Sequence, residues 1–193
     1  MKTLNINKDE KVLLNPDQGY EIADQWFCFT PKTVVTSTSS FNSTIARFSL
    51  IDIRKKYTFK SIGVFITGGA SAGRLLKLGI YKNNSDNKPD LENLLYDFPI
   101  IDCATSGEKI INLSENIVMN PGFYWVGFSA NAGVILQSIN GNTAYFDIFG
   151  NSTITNSSIC SYQCNYTYNG DLPNTILTLT AATTEALLFM QTA

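Results

Sequence analysis

The sequence predicts an all-β fold, an antiparallel β-sandwich of jelly-roll type with about ten strands and an N-terminal arm. Three observations predict it. Apolar or alternating runs of strand length recur along the chain, separated by Gly, Pro, Asn and Asp turn signals. Two of them, Leu75-Leu-Lys-Leu-Gly-Ile-Tyr81 and Pro121-Gly-Phe-Tyr-Trp-Val-Gly-Phe128, read as buried strands with hard boundaries, the loop Gly68 to Gly73 and the turn Asn120-Pro-Gly122. No stretch carries a convincing helical pattern.

Residues 1–19 are polar and read as an attachment arm, and residues 20–193 as a single β-sandwich domain. In the arm, Leu4, Ile6, Val12, Leu13 and Leu14 are the candidate anchoring residues, apolar enough to add a strand to this domain or to a neighbour. From Tyr20 the pattern becomes strand-like over 22–29 and 33–36, with Pro31 between, and 36–40 reads as a polar link. Ile45 to Ile53 alternates as a half-buried strand. In 57–67, Tyr57, Phe59, Ser61, Gly63 and Phe65 alternate against Thr58, Lys60, Ile62, Val64 and Ile66, and the second set is expected to supply the core.

The next strand carries Leu76, Leu78 and Ile80 on one face and Leu75, Lys77, Gly79 and Tyr81 on the other. Asn83 to Pro89 is a polar loop rich in turn formers. Leu94 to Ile101 follows as a strand in which Pro99 is tolerable only at an edge or bulge. Strands are then expected at 108–113, 123–130, 134–137, 143–149, 172–180 and 186–190. The low-charge Asn/Ser/Tyr run from Asn151 to Asn169 reads as a long loop. Trp125 belongs to the core, so Trp125→Ala is expected to be among the most damaging single changes.

Composition narrows function. Charged residues are only 16% of the chain, against roughly 25% in ordinary soluble domains, so part of the surface is expected to be covered by other protein. The formal net charge is −2 and the 14 Lys and Arg are scattered, which argues against nucleic-acid or anionic-membrane partners. The first ten residues lack the apolar core of a signal peptide, and no uncharged apolar run approaches about 18 residues. The expectation is a product made in a cytosol, with no membrane insertion.

There is no His, which removes the commonest general base and the commonest metal ligand together. The cysteines are Cys28, Cys103, Cys160 and Cys164. A zinc site would need Cys28 and Cys103 to converge on the close pair, and positions four apart on one strand lie too far apart for a disulfide. Buried reduced thiols are the reading. Asp86 and Asp90 near Asn84 and Asn87 lack the Gly and bidentate Glu of a calcium loop. Asp86, Asp90, Glu92 and Asp97 could in principle supply a carboxylate pair for glycoside hydrolysis, but they sit in or beside one loop, where solvated charge explains them better. No catalytic residue, cofactor or metal is expected.

Phe59 to Thr67, the Gly68-Gly-Ala-Ser-Ala-Gly73 loop, Arg74 to Tyr81, the Asn83 to Pro89 loop and Pro121 to Val126 together resemble a β-domain recurrent in virion proteins of tailed bacteriophages, of tail-fibre, head-fibre or decoration type. The similarity runs upstream to Trp26 and downstream to Leu172-Pro173. Lys88-Pro89-Asp90 departs from the Pro-Gly with which that loop ends in other members. The resemblance implies a non-enzymatic virion component, a homotrimer displayed on a head or tail, whose partners are itself and other capsid or tail proteins. A closed trimer would also suit the sparse surface charge.

The alternative is a host-receptor or glycan-binding module. Tyr162, Tyr166 and Tyr168 are its candidate ligand or partner contacts, because Tyr among Asn and Ser is the composition of adaptable binding loops. A host-surface glycan is the partner that this alternative names.

Overall fold

The computed structural model describes residues 23–28, 36–140, 161–182 and 184–193. These form two antiparallel sheets of seven strands each, packed face to face. In chain order the strands are β1 (Trp26–Cys28), β2 (Thr36–Phe41), β3 (Ile45–Ile53), β4 (Tyr57–Gly68) and β5 (Leu75–Asn83). Next come β6 (Pro89–Asp97), β7 (Ile101–Asp102), β8 (Gly107–Met119), β9 (Gly122–Ala130) and β10 (Val134–Asn140). The chain closes with β11 (Ser161–Asn165), β12 (Thr180–Ala182), β13 (Thr184–Ala186) and β14 (Phe189–Thr192).

The first sheet runs β1-β14-β4-β10-β13, with β2 added on β10 and β8 on β4. The second runs β12-β11-β3-β9-β5-β6, with β7 on β5. No helix of the described residues is long and apolar enough to cross a membrane.

Strand alternation explains the core between the sheets. Leu76, Leu78 and Ile80 project inward from β5, Val126 and Phe128 from the neighbouring β9, and Ile51 and Ile53 from β3. They meet Phe59, Ile62, Val64 and Ile66 of β4 and Leu136 of β10. Trp125 is fully buried, as expected, but on the opposite face of β9, where its indole N–H donates to Asn83 Oδ1 at 2.8 Å.

Several expectations are corrected. In β4, Tyr57 and Phe59 are buried together with Ile62, Val64 and Ile66, so Thr58 and Lys60 do not supply core. The cause is one extra residue of β4, between Phe59 and Ser61, relative to β14, at the point where the register against β8 also shifts: one extra residue exchanges the two faces of a strand. Residues 36–40, read as a link, belong to the strand Thr36–Phe41, in register with β10 from Val134 to Ile139. A polar strand is stable there because the partner supplies its backbone hydrogen bonds.

Residues 172–179 form no strand. Pro173 has no N–H to offer a ladder, and Leu172 and Pro173 are buried instead. Strand β6 starts at Pro89 and ends before Pro99. The turn before it is held by the Asn84 side-chain oxygen, which accepts from the N–H groups of Asp86 and Lys88, both at 2.9 Å. The expected strand at 143–149 and the arm residues Leu4, Ile6, Val12, Leu13 and Leu14 lie outside the described residues.

Candidate functional site

The two sheets differ in what lies on their outer faces. On the second sheet, Phe48, Leu50, Tyr81, Leu91, Trp125 and Cys164 form a second apolar layer, sealed by Leu172, Leu177 and Leu179. This face is packed on both sides, which is why β5 reads as almost continuously apolar. Gly79 and Gly127 leave the room the layer needs. A Cβ on Gly79 would lie 2.5 Å from Leu172 Cδ1, and one on Gly127 would lie 2.6 Å from Tyr81 Cε2.

This layer takes up two of the three candidate tyrosines. Tyr162 lies in β11, within the run read as a loop, and its ring meets Trp125 edge-on at 5.4 Å with the Lys88 ammonium 6.0 Å from its centroid. Tyr166 also packs against the layer, and its hydroxyl donates to Asn169 Oδ1 at 2.8 Å. The Tyr168 backbone N–H donates to the Ser43 carbonyl at 2.8 Å. Burial raises the phenols of Tyr166 and Tyr168 above their ordinary value, with the nearby Asp171 adding to it.

The acidic residues do not converge. Asp97 pairs with Lys77 Nζ at 2.8 Å, Asp90 accepts from Asn93 Nδ2 at 2.8 Å, and Asp86 is exposed. Among the described residues, no group of three or more His, Cys, Asp or Glu could hold a metal ion. Cys103 and Cys164 are buried free thiols, each pushed up to about 11 by burial.

On the first sheet, the outer face carries a groove of about 340 Å³. It opens where the sheet forks. Strand β4 pairs with β10 at Ile66 and Gly68, but with β14 from Phe59 to Gly63. Strand pairing places Phe189, Gly63 and Ile110 in one row across β14, β4 and β8. Trp26 reaches over this row from β1, and the floor is Gly63, where a Cβ would come within 3.4 Å of the Trp26 ring. Phe65, one step along β4, completes the apolar lining, with Glu108 and Gln137 beside it. Trp26 is 37% exposed, Phe65 38% and Ile110 50%.

No protein-family model and no curated protein matches the chain. Among solved structures, it is similar to the clostridial cysteine protease Cwp84 after propeptide cleavage, with a TM-score of 0.48 and 8% identity. The match covers 88% of this chain and 40% of that one, so this chain spans less than half the neighbour's length. A likeness at this level says nothing of this chain's chemistry.

Sequence reasoning missed the groove. Its lining comes from five strands scattered between Trp26 and Phe189, and only their pairing order brings them together. One signal was present: Phe65 and Gly63 fall on the face of β4 that the alternation assigns away from the core.

Proposed function

We propose that this chain is a non-enzymatic structural protein of a tailed-bacteriophage virion, a head-fibre, decoration or tail-fibre component. In this reading the β-sandwich is displayed outward, residues 1–19 attach it to the particle, and the protein works as a homotrimer. The observation that supports it best is where the resembling residues lie. Phe59 to Thr67 falls in β4, Leu75 to Tyr81 in β5 and Gly122 to Val126 in β9. Strands β5 and β9 are neighbours in the second sheet, and β4 faces them across the core. These three strands form one connected framework, and the two loops that share in the likeness, Gly68 to Gly73 and Asn83 to Pro89, stand at the two ends of β5. The low charge, 16% of residues, is in keeping with a chain that packs against other copies.

Three measurements test this. Mass spectrometry of purified particles is expected to find the chain at a fixed stoichiometry, and the mass of the purified protein in solution is expected to be that of a trimer. Deleting residues 1–19 is expected to abolish incorporation while leaving a cooperatively unfolding domain. Absence from particles would overturn the virion role, and a monomer would overturn the trimer.

A further inference from the structure

We infer that the groove on the first sheet is a binding site for a neutral saccharide. Size argues for a small ligand. A stable protein interface covers about 800 Å² on each partner and is close to flat, whereas small-molecule sites are concave and hold roughly 300–1,000 Å³. At about 340 Å³, the groove is at the small end of that range, room for one or two sugar rings.

The lining selects the chemistry. Trp26, Phe65 and Phe189 offer aromatic surface, and Ile110 adds an aliphatic side. Such faces suit the flat C–H side of a pyranose, which is apolar although its rim is hydroxylated. Glu108 and Gln137 stand beside them. A carboxylate only accepts, while a carboxamide both donates and accepts, so the pair can address the hydroxyls, which do both.

Charge favours a neutral ligand. The Lys109 ammonium, next to Glu108 in sequence, donates instead to Thr105 Oγ1 at 2.8 Å, and Lys60 is paired with Asp24. Glu108 and Lys109 both line the groove, so its formal charges offset and it offers a phosphate or a sialylated sugar no net positive charge. Gly63 is the structural condition for the site. A Cβ there would already touch the Trp26 ring at 3.4 Å, and at 3.1 Å from the Lys109 carbonyl it would crowd β8.

The two tryptophans make the test direct, since Trp125 is fully buried and Trp26 is partly exposed. The full chain is titrated with maltotriose, lactose and chitotriose while tryptophan emission is followed, and affinities are measured by calorimetry. At least one sugar is expected to give a saturable blue shift. Phe65→Ala and Glu108→Gln should each weaken that binding by about tenfold, the scale of one lost stacking face or one charge-assisted hydrogen bond, without moving the unfolding midpoint of the free protein. No saturable response to any of the three sugars would overturn the inference, as would binding that both variants leave intact. Self-association broken by Ile110→Arg would also overturn it, because the groove would then be filled by a second copy. None of these readouts depends on particle incorporation, so this site and the virion role stand or fall separately.

Discussion

The Tyr81 hydroxyl donates a 2.7 Å hydrogen bond to the Pro173 carbonyl, joining positions 92 residues apart in the chain. It fastens the segment that seals the second sheet to the middle of that sheet. Pro173 cannot enter a ladder through an N–H of its own, so this side-chain bond substitutes for strand pairing. Burial pushes the Tyr81 phenol far above its ordinary value, with Tyr166 adding to it, and the phenol therefore stays a donor throughout the physiological range. Tyr81→Phe is expected to cost about 1–2 kcal/mol, because the ring packing survives while the buried carbonyl loses its donor. Urea unfolding of the two proteins checks this, and an unchanged midpoint would show that the tie carries no stability.

The same layer predicts the effect of filling its glycines. A Cβ at Gly79 would lie 2.5 Å from Leu172 Cδ1, 2.8 Å from Leu94 Cδ1 and 2.9 Å from the Tyr96 carbonyl. Leucine side chains can shift, but the carbonyl belongs to the ladder and cannot. Gly79→Ala is expected to destabilise by about 1–3 kcal/mol, the usual cost of overpacking. Combining it with Leu172→Ala should recover less than the whole loss, because the backbone contact remains. A double-mutant cycle measured by thermal unfolding in a calorimeter would show the partial rescue.

How far the sequence is legible depends on which force sets each element. The core of β5 could be read because alternation and burial agree: Leu76, Leu78 and Ile80 point one way and are fully buried there. The first half of β4 could not be read, since alternation says nothing of the irregularity after Phe59 that exchanges its faces. Nor could β2, whose Thr and Ser residues owe their strand to the partner β10. Leu172 to Leu179 looked like a strand because its leucines serve packing across the outer layer and not a ladder. For the same reason, Tyr162 and Tyr166 could be singled out as aromatic without showing that both rest against the layer around Trp125. The groove depends on pairing order alone.

Trp125 makes two separable contributions. Its ring is fully buried in the second apolar layer, and its N–H donates to Asn83 Oδ1 at 2.8 Å at the end of β5. Trp125→Ala is expected to cost about 3–5 kcal/mol, and Trp125→Phe less, since most of the volume is kept. Asn83→Ala leaves the ring in place and removes the acceptor together with the Nδ2 donations to the Asn84 carbonyl and Asn87 Oδ1, for a loss of about 1–2 kcal/mol. Chemical denaturation should rank the three in the order Trp125→Ala, Trp125→Phe, Asn83→Ala. An alanine at 125 as mild as the phenylalanine would refute the central place given to this ring.

The buried thiols predict a response to alkali. Burial raises Cys103 and Cys164 from 9.0 to about 11, the effect at Cys103 being offset in part by Lys109 and at Cys164 by a backbone hydrogen bond from Ala46. A raised pKa means that the fold holds the proton more tightly than the unfolded chain does. Their contribution to stability is therefore complete below about pH 9 and is lost as pH rises toward 11, each unfolding event then releasing up to one proton per thiol. Buried tyrosines act in the same direction, but only from about pH 10, where an unfolded phenol begins to ionise. Between pH 9 and 10 the thiols should thus dominate the slope. Unfolding free energies measured under reducing conditions are expected to be nearly level from pH 7 to 8.5 and to fall across that window, and the fall should flatten in the Cys103→Ala, Cys164→Ala double variant. An equal slope in the double variant would assign the alkaline loss to other groups.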